Sequence, residues 1–115
     1  MKRVLILEDE PFIAMDLAFA FQDEGIATVS AANCEQALEA LQKEKIDGAV
    51  LDVNLGRGET CEAVATELRQ RAIPFILNTG DLDRVGEMLR GMNAKIISKP
   101  SAADQVVREL MAEAA

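Results

Sequence analysis

The sequence predicts an α/β fold: a five-stranded, doubly wound parallel sheet with five helices covering both faces. Short apolar runs of strand length alternate five times with longer amphipathic stretches of helical period. The runs lack strict polar alternation, which is typical of strands covered on both faces. Strict alternation of strands and helices favours parallel strands joined by right-handed crossovers. The predicted strands are residues 4–7, 26–29, 48–51, 73–77 and 94–97.

Start and stop signals place the five helices between these runs. The first is predicted to begin near Pro11, a residue suited to the first helical position, and to stop before Gly25. Asn33 is the predicted N-cap of the second, with Gln36 three residues later. The remaining helices are predicted over residues 59–71, over residues 82–90 and from Ser101 onward.

Apolar residues at helical spacing define the inner faces of the first two helices. The predicted inward residues are Ala14, Leu17, Ala18 and Phe21 in the first and Ala37, Leu38 and Leu41 in the second. The apolar positions of the fifth helix are Val106, Val107, Leu110 and Met111.

Length and charge exclude several classes of function. The 115 residues fit one domain, residues 1–115. They include 12 Lys and Arg, 20 Asp and Glu and no His, which gives a net charge of −8. This acidic balance argues against binding of a nucleic-acid backbone. The lack of His excludes Ser-His-Asp hydrolysis and histidine-ligated zinc chemistry.

The two cysteines and the N-terminal segment indicate the cellular compartment of the protein. Cys34 and Cys61 are far apart and lack CxxC spacing, so we expect small buried apolar side chains rather than metal ligands or a redox pair. The apolar run at residues 4–7 is stopped by acids and is too short for a signal peptide or a membrane span. We therefore expect a cytoplasmic protein without a membrane partner.

Polar residues follow four of the five predicted strands. In a doubly wound sheet these positions meet at one edge, beyond the carboxyl ends of the strands. Gathered carboxylates repel one another, and a hard divalent cation relieves the repulsion. A lysine and a hydroxyl supply donors for an oxyanion such as phosphate. The residues are Glu8, Asp9 and Glu10 after the first strand, Asp52 with Asn54 after the third, Thr79 after the fourth and Lys99 after the fifth.

Each of these groups taken singly has an ordinary alternative. Acids are favourable at any helix N-terminus, and Asp52 followed by Asn54 could belong to a turn. Lys99 before Pro100 could be a solvated surface lysine. These alternatives fail jointly, because four independent strand ends supply a chemically matched set.

The whole chain resembles the receiver domains of two-component response regulators, which have a flavodoxin-like fold. The resemblance rests on the motifs VLILEDE at residues 4–10, VLDVNL at 50–55 and ISKP at 97–100. It implies that Asp52 is the phosphoacceptor and that Thr79 and Lys99 contact the phosphoryl group. It also implies that Lys99–Pro100 is a cis peptide bond.

The resemblance further implies a Mg²⁺ site. Its ligands would be Asp9 directly, Glu8 with a supporting role, Asp52, and the backbone carbonyl of Asn54. Asn54 and Asp81 would also flank the path of the hydrolytic water and influence how long the acyl phosphate survives.

A partner is implied as well. A histidine kinase or histidine phosphotransfer protein would supply the phosphoryl group, and phosphorylation of Asp52 would alter binding of a downstream protein. The chain would be no enzyme beyond catalysing its own phosphorylation and dephosphorylation. Because it stops after the fifth predicted helix, we expect a stand-alone receiver, and a homodimer stays open. The usual partner surface would include Arg84, Val85, Met88, Leu89 and Met92, although some of these belong to the core.

Two departures from the family pattern stand out. The aromatic residue often found three positions before the lysine is Ile96 here, so the usual threonine–aromatic pair is incomplete. The segment after Asp52 carries Gly56 and Thr60 where the family usually has a proline and a glycine. With Gly58 also present, we expect a mobile loop near the site.

Three alternative functions remain open. The chain could drain phosphate from a kinase without a downstream target, or it could be an interaction module that ignores phosphorylation. A Mg²⁺-dependent phosphohydrolase with an aspartyl nucleophile is a third alternative. The acids at residues 8–10 lack the Asp pair of such enzymes, and the chain has no cap segment for a substrate.

Overall fold

In the computed structural model, residues 1–82 and 85–114 are described, and they form five strands and five helices. The strands are β1 (Arg3–Leu7), β2 (Ala27–Ala31), β3 (Gly48–Leu51), β4 (Phe75–Thr79) and β5 (Lys95–Ser98). The helices are α1 (Pro11–Asp23), α2 (Cys34–Lys43), α3 (Glu62–Gln70), α4 (Glu87–Gly91) and α5 (Ala103–Ala114). The alternation predicted from the sequence is confirmed.

The strands form one parallel sheet in the order β2-β1-β3-β4-β5. The order reverses at β1, which pairs with β2 on one side and β3 on the other, so Leu7 lies opposite both Ala31 and Leu51. This is the predicted doubly wound architecture. The crevice at such a reversal, beyond the carboxyl ends of β1 and β3, is where ligands bind in open α/β sheets.

Two apolar cores cover the two faces of the sheet. Successive strand residues point to opposite faces, so Leu5 and Leu7 of β1 join one core while Val4 and Ile6 join the other. The first core packs against α2, α3 and α4, and the second packs against α1 and α5. Both faces are therefore closed, as the apolar strand runs predicted.

Three of the predicted helix starts were wrong, those of α3, α5 and α4. Helix α3 begins at Glu62 rather than at residue 59, because residues 54–60 first close a hairpin-like loop. Helix α5 begins at Ala103 rather than Ser101. Ala102 accepts the first helical hydrogen bonds, and the Ser101 hydroxyl instead donates to Asn78 Oδ1 at 3.4 Å.

Helix α4 is also shorter than predicted. It begins at Glu87, with Gly86 as an extended N-cap, rather than at residue 82. Val85 lies just before the helix and is buried in the first core. The predicted partner residue Arg84 lies outside the described residues.

The predicted inward residues of α1 and α2 are buried, except that Ala18 and Leu38 are half-buried. Of the apolar positions named in the fifth helix, Val106, Val107 and Leu110 are buried, whereas Met111 is 42% exposed on the outer side of α5. Met111 lies one residue beyond Leu110, which points it about a quarter-turn away from the core.

Both cysteines are free thiols. Cys61 is fully buried, as expected, whereas Cys34 is only half-buried. Burial raises the pKa of Cys61 to about 12 and that of Cys34 to about 11, so both are protonated at neutral pH. Among the helices of the described residues, none has the length and apolar character needed to cross a bilayer.

The neighbouring pair Leu110 and Met111 tests this packing. Leu110→Ala should lower the free energy of unfolding by about 2–5 kcal/mol, because it empties a fully buried position in the second core. Met111→Ala should change it by less than about 0.5 kcal/mol. Urea unfolding followed by circular dichroism measures both. Equal losses for the two variants would contradict the described orientation of α5.

Candidate functional site

Glu8 and Asp52 begin the site at the carboxyl ends of β1 and β3. The backbone N–H of Glu8 donates to Ala31 O at 2.9 Å, and that of Asp52 donates to Leu7 O at 2.8 Å. These bonds extend the ladder past the ends of the strands, so both backbones are fixed by the sheet. Glu8 is 5% exposed and Asp52 is 8% exposed. The reversal in strand order therefore brings two buried acids together.

A third acid completes a carboxylate cluster. One oxygen from each of Glu8, Asp9 and Asp52 lies within 4.8 Å of the other two. Asp9 is exposed, so the cluster has two buried members and one on the solvent side. The three acids predicted to hold a metal are thus brought together by the fold.

Lys99 closes the cluster from the other side. Its Nζ donates to Glu8 Oε1 and lies 3.4 Å from Asp52 Oδ2. Its backbone N–H donates to Thr79 O at 2.8 Å, and its peptide bond to Pro100 is cis, as predicted. The lysine is therefore anchored at the end of β5 and directed inward, which excludes the alternative of a solvated surface side chain.

The charges of the cluster are only partly balanced. Burial, followed by repulsion from Glu8, raises the pKa of Asp52 to about 7 despite the opposing effect of Lys99. Burial alone would lower the pKa of Lys99, but its hydrogen bond to Glu8 and the charge of Asp52 raise it instead. Three carboxylates against one ammonium leave two negative charges uncompensated when all four groups are ionised.

Thr79 lies beside Lys99 at the end of β4. It is 1% exposed, and its hydroxyl oxygen accepts the backbone N–H of Asp81 at 3.2 Å. Thr79 pairs with Ser98 in the register of β4 and β5. This pairing places the hydroxyl at the same edge of the sheet as the acids, as the sequence predicted.

Asn54 lies two residues beyond Asp52, at the base of the hairpin-like loop. It forms an isolated antiparallel bridge with Thr60, and the N–H of Leu55 donates to Glu59 O at 2.9 Å. The tip consists of Gly56, Arg57 and Gly58, all with positive φ. The backbone carbonyl of Asn54 as a metal ligand, and the mobility of the loop, stay predictions.

The side chains present fit a hard divalent cation. Mg²⁺ is bound through one or two carboxylates and keeps several waters, and the exposed Asp9 leaves the cluster open to solvent. A divalent ion would also balance the two uncompensated charges. The donor set contains only oxygens, which suits Mg²⁺ better than a soft metal.

An apolar groove beside the site was missed by the sequence analysis. It has a volume of about 660 Å³ and lies between α1 and the start of α5, with Lys99 in its wall. Phe12, Met15 and Phe19 of α1 are 81%, 48% and 57% exposed. The signal was present as a second i, i+3, i+7 apolar stripe on α1. The groove is lined by Glu10, Phe12, Ile13, Met15, Asp16, Leu17, Phe19, Asn78, Lys99, Pro100, Ser101 and Ala103.

The sequence profile of the response regulator receiver domain matches residues 4–111. The chain belongs to this family. It is thus a response regulator receiver domain of two-component signalling, and the resemblance found in the sequence is confirmed.

Curated relatives are longer than this receiver domain. The chain is 34% identical over 79 residues to the transcriptional regulatory protein PdtaR of Mycobacterium tuberculosis. The aligned region covers 68% of this chain and 38% of that protein. The chain is 30% identical over 114 residues to the probable transcriptional regulatory protein TcrX of the same organism, covering 95% and 48%. The chain thus spans less than half the length of these relatives.

Solved structures show the same fold. The solution structure of SdrG from Sphingomonas melonis Fr1 superposes with a TM-score of 0.83 at 34% identity, covering 99% of this chain and 96% of that one. A response regulator from Burkholderia pseudomallei, solved with a phosphorylated aspartic acid, calcium ion and citrate, superposes with a TM-score of 0.84 at 22% identity. The superposition covers 99% of this chain and 69% of that one. The second similarity is one of fold alone.

The raised pKa of Asp52 predicts an unusual pH dependence. Without metal, the folded receiver domain keeps a proton on Asp52 that the unfolded chain, with a pKa near 3.8, has already released. Stability is therefore lost as the pH rises from about 4 to about 7. Asp52→Asn removes this loss, so in the presence of a chelator it should raise Tm more at pH 8 than at pH 5.

Asp47 provides a control, because its carboxyl group should change the pH dependence of stability in the opposite direction. Its carboxylate accepts the backbone N–H groups of Lys2 and Arg3 at 2.8 and 3.0 Å, which lowers its pKa. Asp47→Asn should lower Tm at neutral pH, and the deficit should shrink as the pH falls below the ordinary pKa of Asp. A Tm for Asp52→Asn below that of the wild type at pH 8 would contradict the uncompensated charge at the site.

Proposed function

We propose that this receiver domain accepts a phosphoryl group on Asp52 from a phosphohistidine on a partner, in a reaction that requires Mg²⁺. The observation that carries the proposal is the meeting of Asp52 with two further carboxylates and the Lys99 ammonium at one crevice. A single buried acid has many explanations, but this combination supplies a nucleophile, a cation site and a counter-charge together.

The chemistry is an in-line displacement. An oxygen of the ionised Asp52 forms a bond to phosphorus while the bond from phosphorus to the imidazole nitrogen breaks. The imidazole leaves with that electron pair and takes a proton from solvent. The transition state is loose and highly charged, so the chain contributes mainly position and electrostatics.

Each side chain has a role that its position supports. Lys99 Nζ, 3.4 Å from Asp52 Oδ2, can pair with a phosphoryl oxygen without rearrangement of the sheet. The hydroxyl of Thr79 offers a hydrogen bond from the neighbouring strand end. Glu8, Asp9 and Asp52, with the backbone carbonyl of Asn54, would hold Mg²⁺. The ion supplies charge neutralisation and favours the ionised form of Asp52.

The product is a modified residue of the chain itself. We therefore infer that the protein is a switch, phosphorylated and dephosphorylated by its own site, and not an enzyme that releases product from a small substrate. The groove next to the site is apolar and open rather than a closed substrate pocket. Whether phosphorylation signals onward or drains a kinase is decided by the partner and not by the site.

Phosphorylation by acetyl phosphate tests this proposal. Incubation with acetyl phosphate and Mg²⁺, followed by intact mass measurement, should show one added phosphate. The adduct should be absent with a chelator and absent in Asp52→Asn, whereas Asp47→Asn, altered at the opposite edge of the sheet, should behave as the wild type. Beryllofluoride binding in the same samples detects a site whose phosphate hydrolyses quickly. Failure of both reactions would overturn the proposal and favour an interaction module that ignores phosphorylation.

The phosphodonor protein should dock on α1. Its phosphohistidine must reach Asp52, and the groove that contains Lys99 continues from the site along α1. Phe12 and Phe19 offer exposed apolar surface there, while Glu10 and Asp16 line the same groove. These features fit an apolar helical face bearing basic residues, which also complements the net charge of −8. By contrast, Val85 just before α4 and Leu89 within it are buried, whereas Met88 of α4 is exposed.

Two alanine variants distinguish these faces. Phe19→Ala should slow transfer from a phosphorylated histidine phosphotransfer partner by about tenfold, because it removes an exposed apolar anchor. Its phosphorylation by acetyl phosphate should be unchanged, since no residue of the site is altered. Met88→Ala, which removes a similarly exposed side chain from α4, is the matched control. Slower transfer in Met88→Ala with normal transfer in Phe19→Ala would move the docking face to α4.

A further inference from the structure

Glu59 connects the site to helix α2. Its Oε1 accepts the backbone N–H of Cys34, the first residue of α2, at 2.7 Å. The thiol of Cys34 also donates, to the backbone carbonyl of Thr60 at 3.0 Å. The hairpin-like loop that follows Asp52 is therefore held to α2 by two hydrogen bonds, both donated by Cys34.

This contact completes the N-terminal cap of α2. Asn33 Oδ1 accepts the N–H of Gln36 at 2.9 Å, so the helix's own cap serves a different N–H group. The N–H of Cys34 is satisfied only by the carboxylate of Glu59, among the bonds described. A carboxylate is also favoured there by the helix dipole. The cap of α2 thus depends on a residue 25 positions away along the chain.

The same loop borders the carboxylate cluster. It starts two residues after Asp52, and a Cβ built on Gly56 would lie 3.8 Å from Asp9 Oδ2. Glu59 also fixes the shape of the loop through its backbone, since its N–H donates to Gly56 O and its carbonyl accepts from Leu55 N, both at 2.9 Å. Residue 59 therefore sets the loop geometry with its backbone and the loop position with its side chain.

We propose that Glu59 is a positioning residue for the cation site, which couples metal binding beside Asp52 to the capping of α2. The proposal rests on the Mg²⁺ site proposed above. A hard cation takes oxygens from the adjoining backbone or from water in addition to carboxylates. Where the loop lies relative to Asp9 therefore affects the affinity. Because linkage is reciprocal, Mg²⁺ must strengthen the bond from Cys34 N–H to Glu59 by the same factor that the bond strengthens Mg²⁺ binding.

Three variants isolate the hydrogen bond from the charge. Glu59→Ala removes both. Glu59→Gln removes the charge but keeps an oxygen that can accept from Cys34 N–H. Glu35→Ala removes an exposed acid from the first turn of α2 and leaves the Glu59 contact in place. Since the chain has no Trp or Tyr, Mg²⁺ is titrated by amide NMR rather than by intrinsic fluorescence.

In Glu59→Ala the dissociation constant for Mg²⁺ should rise about fivefold or more, while Glu59→Gln and Glu35→Ala should stay within about twofold of the wild type. Hydrogen exchange at the Cys34 amide should slow on Mg²⁺ addition in the wild type and in Glu59→Gln, and should not respond in Glu59→Ala. Wild-type affinity in Glu59→Ala, or a Cys34 amide indifferent to Mg²⁺ in the wild type, would overturn this inference alone. A wild-type chain that binds no Mg²⁺ would overturn the proposed function with it.

Discussion

The contact of the Lys99 ammonium with Glu8 and Asp52 is the interaction on which the site depends. Burying two carboxylates side by side is unfavourable unless a positive charge accompanies them. Lys99 supplies that charge from just beyond the end of β5, which lies two strands away from β3 in the sheet. The compensation is incomplete, because one ammonium faces three carboxylates, and burial followed by the charge of Glu8 raises the pKa of Asp52. A bound cation would therefore lower the net negative charge of this buried cluster. Such incompletely compensated charge is typical of functional sites rather than of purely structural ion pairs.

The surroundings of the site divide into a fixed part and an adjustable part. Glu8, Asp52 and Lys99 are held by ladder-type backbone hydrogen bonds at the ends of strands whose side chains fill both cores. The segments between the strands are built differently. The loop after Asp52 has three successive residues with positive φ, and α4 has only five residues. A sheet edge fixed by backbone hydrogen bonds, with irregular neighbouring segments, holds the side chains of the site in place and leaves the surrounding surface less constrained.

Most of the fold and the main site residues could be predicted from the sequence, because both depend on local patterns that the sheet topology combines. The errors have a common physical origin. Ile26 and Ile73 were assigned to strands, but their N–H groups donate to Phe21 O and Leu68 O and complete the ends of the preceding helices. The apolar character of a residue alone cannot distinguish the first residue of a strand from a residue that completes the end of the preceding helix. The contact of Glu59 with Cys34 depends on tertiary placement across 25 residues and leaves no pattern in the sequence.

Two structural connections lead away from the site, and they differ in chemistry. Ile96, three residues before Lys99, is half-buried against the first core, and an aliphatic side chain has no polar group whose partner could change when the site changes. The loop at residues 54–60 reaches α2 through hydrogen bonds, which depend steeply on distance and angle. A small displacement beside Asp52 therefore alters the energy of the polar connection more than that of the apolar one.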